Sequence, residues 1–144
     1  MRRLWPSLPA SQYPRPSPIL TFIYLSFIIY SPSNPSGSNW TREHLIGIAQ
    51  IAERKHVPII ADEVYAHMSW STPLSPTGLF TPMSSVSGSV PVFTLCGLSK
   101  RFLAPGWRTG WIVVCDPMGY ANQVREGLER WGNRIQGPNG LVQM

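Results

Sequence analysis

Cys96-Gly97-Leu98-Ser99-Lys100-Arg101-Phe102-Leu103-Ala104-Pro105-Gly106-Trp107-Arg108-Thr109-Gly110 joins two apolar runs, Val92-Phe93-Thr94-Leu95-Cys96 before it and Trp111-Ile112-Val113-Val114-Cys115 after it. Both runs are short, continuous and rich in β-branched or aromatic residues, so both read as strands. A parallel crossover usually needs a helix between its strands, and no helical pattern fills this interval, so the two strands are expected to be antiparallel. The same stretch sets a lysine four residues past the first strand and an arginine eight residues beyond that. The chain has only two lysines, and the other, Lys55, falls at the polar end of a helical pattern. An amine that follows a buried strand loses solvation, which disfavours its ammonium form and leaves it nucleophilic toward aldehydes. A surface lysine after a strand is the alternative reading.

Working outward, Ile19 to Tyr30 is almost entirely apolar. About a dozen residues fall short of the roughly 20 that a membrane helix requires, so a buried strand ending near Tyr30 is expected. Ser31-Pro32-Ser33-Asn34-Pro35-Ser36-Gly37-Ser38 is a turn cluster. Thr41 is positioned to cap a helix, with Leu45, Ile48, Ala49, Ile51 and Ala52 at helical spacing. That helix stops near His56, because Pro58 disfavours helix at Val57. Val57-Pro58-Ile59-Ile60-Ala61 is a second strand, closed by Asp62-Glu63. Strand, helix, strand in this order is a βαβ unit, with parallel strands expected to be buried on both faces. Ser69 to Ser89 reads as a long loop, and Gly119 to Ile135 as a helix carrying Val124, Leu128, Trp131 and Ile135. The expected fold is therefore α/β, a mostly parallel sheet flanked by helices.

Composition narrows the function. A chain of 144 residues suits one domain. Its formal charge of +5 comes from scattered basic residues rather than a stripe, which argues against nucleic acid and fits a small anionic ligand. Cys96 and Cys115 sit in apolar runs outside any C-x-x-C pair, and buried, reduced thiols in a cytoplasmic protein are expected. Residues 1–18 hold five prolines and no acidic residue, and disorder is expected there. Arginine and serine without acids suggest a mitochondrial address as an alternative, although the prolines spoil an amphipathic helix.

Three apolar runs finish in a polar group: Asn34 after the first, Asp62 after the second and Lys100 after the third. Ligands of open α/β sheets bind outside the carboxyl ends of parallel strands, so these side chains are expected to converge on one crevice. Each has a plainer reading: Asn34 as a turn residue, Asp62 as a helix cap, Tyr65 as core. Together, an aldehyde-reactive lysine, a carboxylate, an amide or phenol donor and an arginine suit a phosphorylated aromatic aldehyde with a basic ring nitrogen.

On three blocks the chain resembles the class I aminotransferases that use pyridoxal 5'-phosphate, and among them the tyrosine aminotransferases. The blocks are Pro32-Ser33-Asn34-Pro35-Ser36-Gly37, Pro58-Ile59-Ile60-Ala61-Asp62-Glu63-Val64-Tyr65, and Gly97 to Lys100 continuing through Gly106-Trp107-Arg108-Thr109-Gly110-Trp111. The resemblance implies that Lys100 binds the cofactor aldehyde and moves the substrate proton, and that Asp62 holds the ring nitrogen protonated. It implies that Asn34 and Tyr65 hydrogen-bond the ring oxygen, that Arg108 pairs with the phosphate, and that Ser99 adds a phosphate contact. In relatives that serine often stands three residues before the lysine, where this chain has Gly97. Thr109 replaces a usual aliphatic residue and Ser31 a common asparagine.

The resemblance further implies part of the large domain of the fold-type I transferases over residues 19–144, after a Pro-rich start at 1–18 that is not family-like. Relatives are much longer, with an upstream phosphate loop and a downstream small domain, so a truncated form is expected. The implied activity is amino transfer from L-tyrosine to 2-oxoglutarate, in a homodimer acting on small amino and 2-oxo acids, with no nucleic acid, membrane or metal. A non-catalytic aminotransferase fragment, and a related transaminase or lyase, are the alternatives.

Overall fold

The computed structural model of the protein describes residues 26–70, 80–135, 137 and 140. The Pro-rich segment 1–18, the apolar residues 19–25 and residues 71–79 of the expected loop lie outside the described residues. Four strands form one sheet in the order β1 (Phe27–Tyr30), β2 (Ile59–Asp62), β3 (Val92–Gly97) and β4 (Gly110–Cys115). β1, β2 and β3 are parallel, and β4 runs antiparallel to β3, as the missing crossover helix required.

The first helix, α1 (Arg42–Lys55), begins where Thr41 leaves the extended region and its Oγ1 accepts the His44 N–H at 3.3 Å. It ends at His56, whose left-handed backbone (φ 55°) turns its N–H back onto the carbonyls of Ala52 and Glu53. The last helix, α3 (Asn122–Ile135), starts three residues later than expected. Asp116 sets that start: its two carboxylate oxygens accept the N–H groups of Tyr120 and Ala121 at 3.1 and 2.7 Å. A four-residue helix, α2 (Leu98–Arg101), follows β3 directly.

Alternation along the strands sends neighbouring residues to opposite faces. Ile29, Ile59, Ala61 and Val92 therefore share one face, where α1 lays Leu45, Ala49 and Ala52 against them. Phe93 turns to the other face and packs on Ala121, just before α3, and on Val124 within it, with Val114 and Leu128 beside it. Leu45 is fully buried, and hiding such a side chain from water stabilises the fold by about 1.5–3 kcal/mol.

The expectation that the strands are buried on both faces is corrected at the sheet's two edges. In β1 only Ile29 is buried, while Ile28 and Tyr30 are each 56% exposed, and most of β4 is exposed. One helix lies on each face, α1 over β1–β3 and α3 over β3–β4, so only the centre is covered on both sides. Among its described residues the expected loop at 69–89 also contains structure, a 3-10 turn at Met83–Ser85 that puts Met83 into the α1-side core. Cys96 and Cys115 are free thiols as expected, but half-buried rather than buried.

Candidate functional site

Register brings the polar residues to one end of the sheet. Tyr30 pairs with Asp62, and Asp62 with Leu95, so the three parallel strands finish abreast. Because β4 is antiparallel, it starts at that same end, where Gly110 pairs with Gly97. The topology thus places Asn34, Asp62 and Tyr65, Ser99 and Lys100, and Arg108 beyond a single edge.

They line two adjoining hollows rather than one. Asn34, Asp62 and Tyr65 line a hollow of about 260 Å³ together with Tyr30, Pro32 and Val64. Ser99, Lys100 and Arg108 line an adjoining hollow of about 290 Å³ with Cys96, Gly97, Thr109 and Gly110. Val64 belongs to both walls. Across this divide the Lys100 Nζ stands 5.4 Å from the centroid of the Tyr65 ring, within cation–π range. The turn at Ala66–Met68 lies beside α2.

Each side chain has a local reason for its place. Asp62 closes β2, and its Oδ1 accepts the Val64 N–H at 3.3 Å, which ties the carboxylate to the turn that presents Tyr65. Asn34 sits in a tight turn closed by Gly37, whose left-handed φ of 69° lets its N–H reach the Ser33 carbonyl at 2.7 Å. Ser31, in the expected asparagine position, is buried, and its hydroxyl makes no hydrogen bond among the described residues. Arg108 is exposed; its Nη1 and its backbone N–H both donate to the Pro105 carbonyl, at 3.1 and 3.4 Å.

Lys100 corrects the argument that first singled it out. It is exposed, not desolvated. The two core clusters lie under α1 and α3, and α2, which carries Lys100 past the end of β3, belongs to neither. Its setting is defined by the Tyr65 ring and the mouth of the hollow rather than by burial.

Glu63 was missed as a buried group. It is only 7% exposed, and its Oε1 accepts the Met83 N–H at 2.8 Å, pinning the 83–85 turn to the end of β2. Alternation along the Asp62-Glu63 doublet contained the signal: one acid must face the hollow and the other the core. Burial pushes the Glu63 carboxyl up, against the opposing pull of the Met83 N–H. Cys96 is also pushed up, by burial first and then by the carboxylates of Glu63 and Asp62.

The direction for Glu63 has a consequence for stability. In the unfolded chain it titrates near 4.5, and in the fold above that. Across the interval the folded state holds more protons than the unfolded one, so stability falls as pH rises through it. Glu63→Gln keeps an acceptor for Met83 and cannot ionise. Melting curves from about pH 4 to pH 8 are expected to show a shallower decline for the variant than for the wild type; equal slopes would count against this.

With the geometry in hand, comparison with known proteins is specific. A family model described as aminotransferase class I and II matches residues 26–143. The chain is 44% identical over 117 residues to the tyrosine aminotransferase of Bos taurus, and 38% identical over 120 residues to that of Dictyostelium discoideum. These alignments cover 81% and 82% of this chain but 25% and 28% of the relatives, so the chain spans about a quarter of their length. Among solved structures, an alanine aminotransferase from Pyrococcus furiosus superposes with a TM-score of 0.71 at 31% identity, over 79% of this chain and 28% of the other. A tyrosine aminotransferase from Leishmania infantum gives 0.67 at 35% identity, over 82% and 28%.

Proposed function

Because the chain belongs to the class I and II aminotransferase family, we propose that residues 19–144 form part of a pyridoxal 5'-phosphate-binding domain whose protein transfers the amino group of L-tyrosine to 2-oxoglutarate. The observation that carries this reading is the pairing of the two hollows, with the Lys100 amine 5.4 Å from the Tyr65 ring and Arg108 lining the same hollow as Lys100.

The donor set suits the cofactor group by group. Lys100 offers the amine that holds the aldehyde, Asp62 a carboxylate for a protonated ring nitrogen, and Asn34 and Tyr65 hydrogen bonds to a ring oxygen. Arg108 offers a planar fork for phosphate, with Ser99 as a second contact in the same hollow. When bound, pyridoxal phosphate supplies a conjugated, electron-withdrawing ring that takes up the electron pair released at the substrate's α-carbon. Lys100 Nζ would take the proton from that carbon as general base and, as general acid, deliver it to the carbon that had been the cofactor's aldehyde, which moves the proton rather than restoring it. Asp62 would hold the ring nitrogen protonated through the attraction between opposite charges.

Tyrosine as substrate is supported by the relatives named for it at 44% and 38% identity. An alanine-type transaminase is the second reading, on the strength of the Pyrococcus furiosus structure. We place the protein in the cytoplasm as a homodimer, on the family's pattern. Among the described residues no helix is long and apolar enough to cross a membrane.

The test is chemical. Purified protein incubated with pyridoxal phosphate and reduced with borohydride is expected to carry the label on Lys100 in peptide maps. Label on Lys55 instead, or on neither lysine, would overturn the reading. A panel of amino acids then separates the substrates: conversion of tyrosine ahead of alanine supports the first assignment, and the reverse order the second.

A further inference from the structure

Gly97 and Gly110 face each other as the last pair of the β3–β4 ladder. A Cβ on Gly110 would stand 2.8 Å from the Cys96 carbonyl oxygen, and one on Gly97 would stand 3.3 Å from the Thr109 carbonyl oxygen. Both obstacles are backbone, so no side chain can turn aside to make room. At Gly110 the strands approach more closely than a residue with a side chain allows, and at Gly97 the fit is tight but would yield to a shift of a few tenths of an ångström.

The loop between the two glycines is knitted onto this bridge. The Leu98 N–H donates to the Thr109 carbonyl at 3.0 Å, extending the ladder one step into α2. The Leu98 carbonyl accepts the N–H groups of Phe102 and Ala104 at 3.1 and 3.3 Å, and Thr109 Oγ1 donates to the Trp107 carbonyl at 2.9 Å. Arg108 itself holds a left-handed backbone (φ 48°), which for a residue other than glycine costs on the order of 1 kcal/mol and persists only where the surroundings fix it. Lys100 lies three residues beyond Gly97, and Arg108 two residues before Gly110. Both groups therefore take their positions from the same close contact.

We propose that the Gly97–Gly110 bridge is the spacer that sets the separation of Lys100 and Arg108, matching them to a ligand with an aldehyde at one end and a phosphate at the other. The glycines line the same hollow with backbone alone and act by fixing the strand spacing; they are positioning residues. The inference rests on the roles given to Lys100 and Arg108 above, and its test keeps the two apart.

Borohydride labelling of Lys100 is measured with pyridoxal phosphate and, separately, with pyridoxal, which lacks the phosphate. In the wild type the phosphate form is expected to label Lys100 with about tenfold preference, the factor that one hydrogen bond between charged groups supplies. Arg108→Ala should erase that preference. Gly110→Ala, which leaves Arg108 in the chain, is expected to bring the ratio close to the Arg108→Ala value while pyridoxal still labels Lys100 as in the wild type. Gly97→Ala, whose clash is milder, should give an intermediate ratio and serves if Gly110→Ala does not fold. A wild type without Lys100 label or without preference overturns the reading of the site, and this inference with it. A wild type with the preference and glycine variants that retain it overturns the inference alone. So does loss of labelling by both aldehydes in both glycine variants, because the bridge would then hold the fold rather than the spacing.

Discussion

Lys100→Ala is expected to abolish covalent uptake of pyridoxal phosphate and to lower turnover by at least roughly 10²–10⁴-fold, the contribution of a positioned general base. Stability should hardly change. Lys100 is exposed, and α2 is closed by backbone bonds such as Phe102 N–H to the Leu98 carbonyl at 3.1 Å, which alanine preserves. Only the contact with the Tyr65 ring is lost, and at an exposed position that is worth about 0.5–1 kcal/mol. Lys100→Arg sharpens the test. It keeps a cation near Tyr65 but remains charged, so it offers neither a nucleophile nor a base. Uptake and activity should be lost in both variants, with melting temperatures near that of the wild type. An arginine variant that retains turnover would remove Lys100 from the chemistry.

The route from sequence to this site was uneven, for physical reasons that differ by residue. The βαβ order and the α1 boundaries were legible because they depend on local signals: Thr41 as cap, Pro58 as stop, apolar residues at helical spacing. The antiparallel β4 was legible because a parallel crossover has a minimum length that the 97–110 segment does not fill with helix. Asn34, Asp62 and Lys100 were recognisable as strand-end groups because parallel strands in register must finish together. Burial was harder to read, since it depends on what packs above a residue rather than on its neighbours in sequence. Lys100 follows a buried strand yet stands in the open, and Glu63 next to Asp62 is nearly covered. Gly97 and Gly110 stood in plain view at either end of the quoted stretch. What distinguishes them is the approach of one backbone to another, which no local sequence pattern encodes.

Asp62 carries the second large expected effect, and its three substitutions separate charge from shape. Asp62→Asn preserves an oxygen that can accept the Val64 N–H, so the turn that presents Tyr65 should stay in place. What it removes is the negative charge that would hold a proton on the cofactor's ring nitrogen. Turnover is expected to fall on the order of 10²–10³-fold, as for the loss of one preorganised electrostatic contact at a reacting centre. Cofactor affinity should fall much less, because the contacts proposed for Lys100 and Arg108 would remain. Asp62→Ala removes the charge and the turn's acceptor together, so it should add a stability loss of about 0.5–1.5 kcal/mol, the net worth of one hydrogen bond. Asp62→Glu keeps the charge on a longer arm and should recover part of the rate. The pattern to look for is asparagine and alanine nearly equal in turnover, separated in melting temperature, with glutamate above both. Turnover of Asp62→Asn within a few-fold of the wild type would mean that the carboxylate serves only the turn, and that another group governs the ring nitrogen.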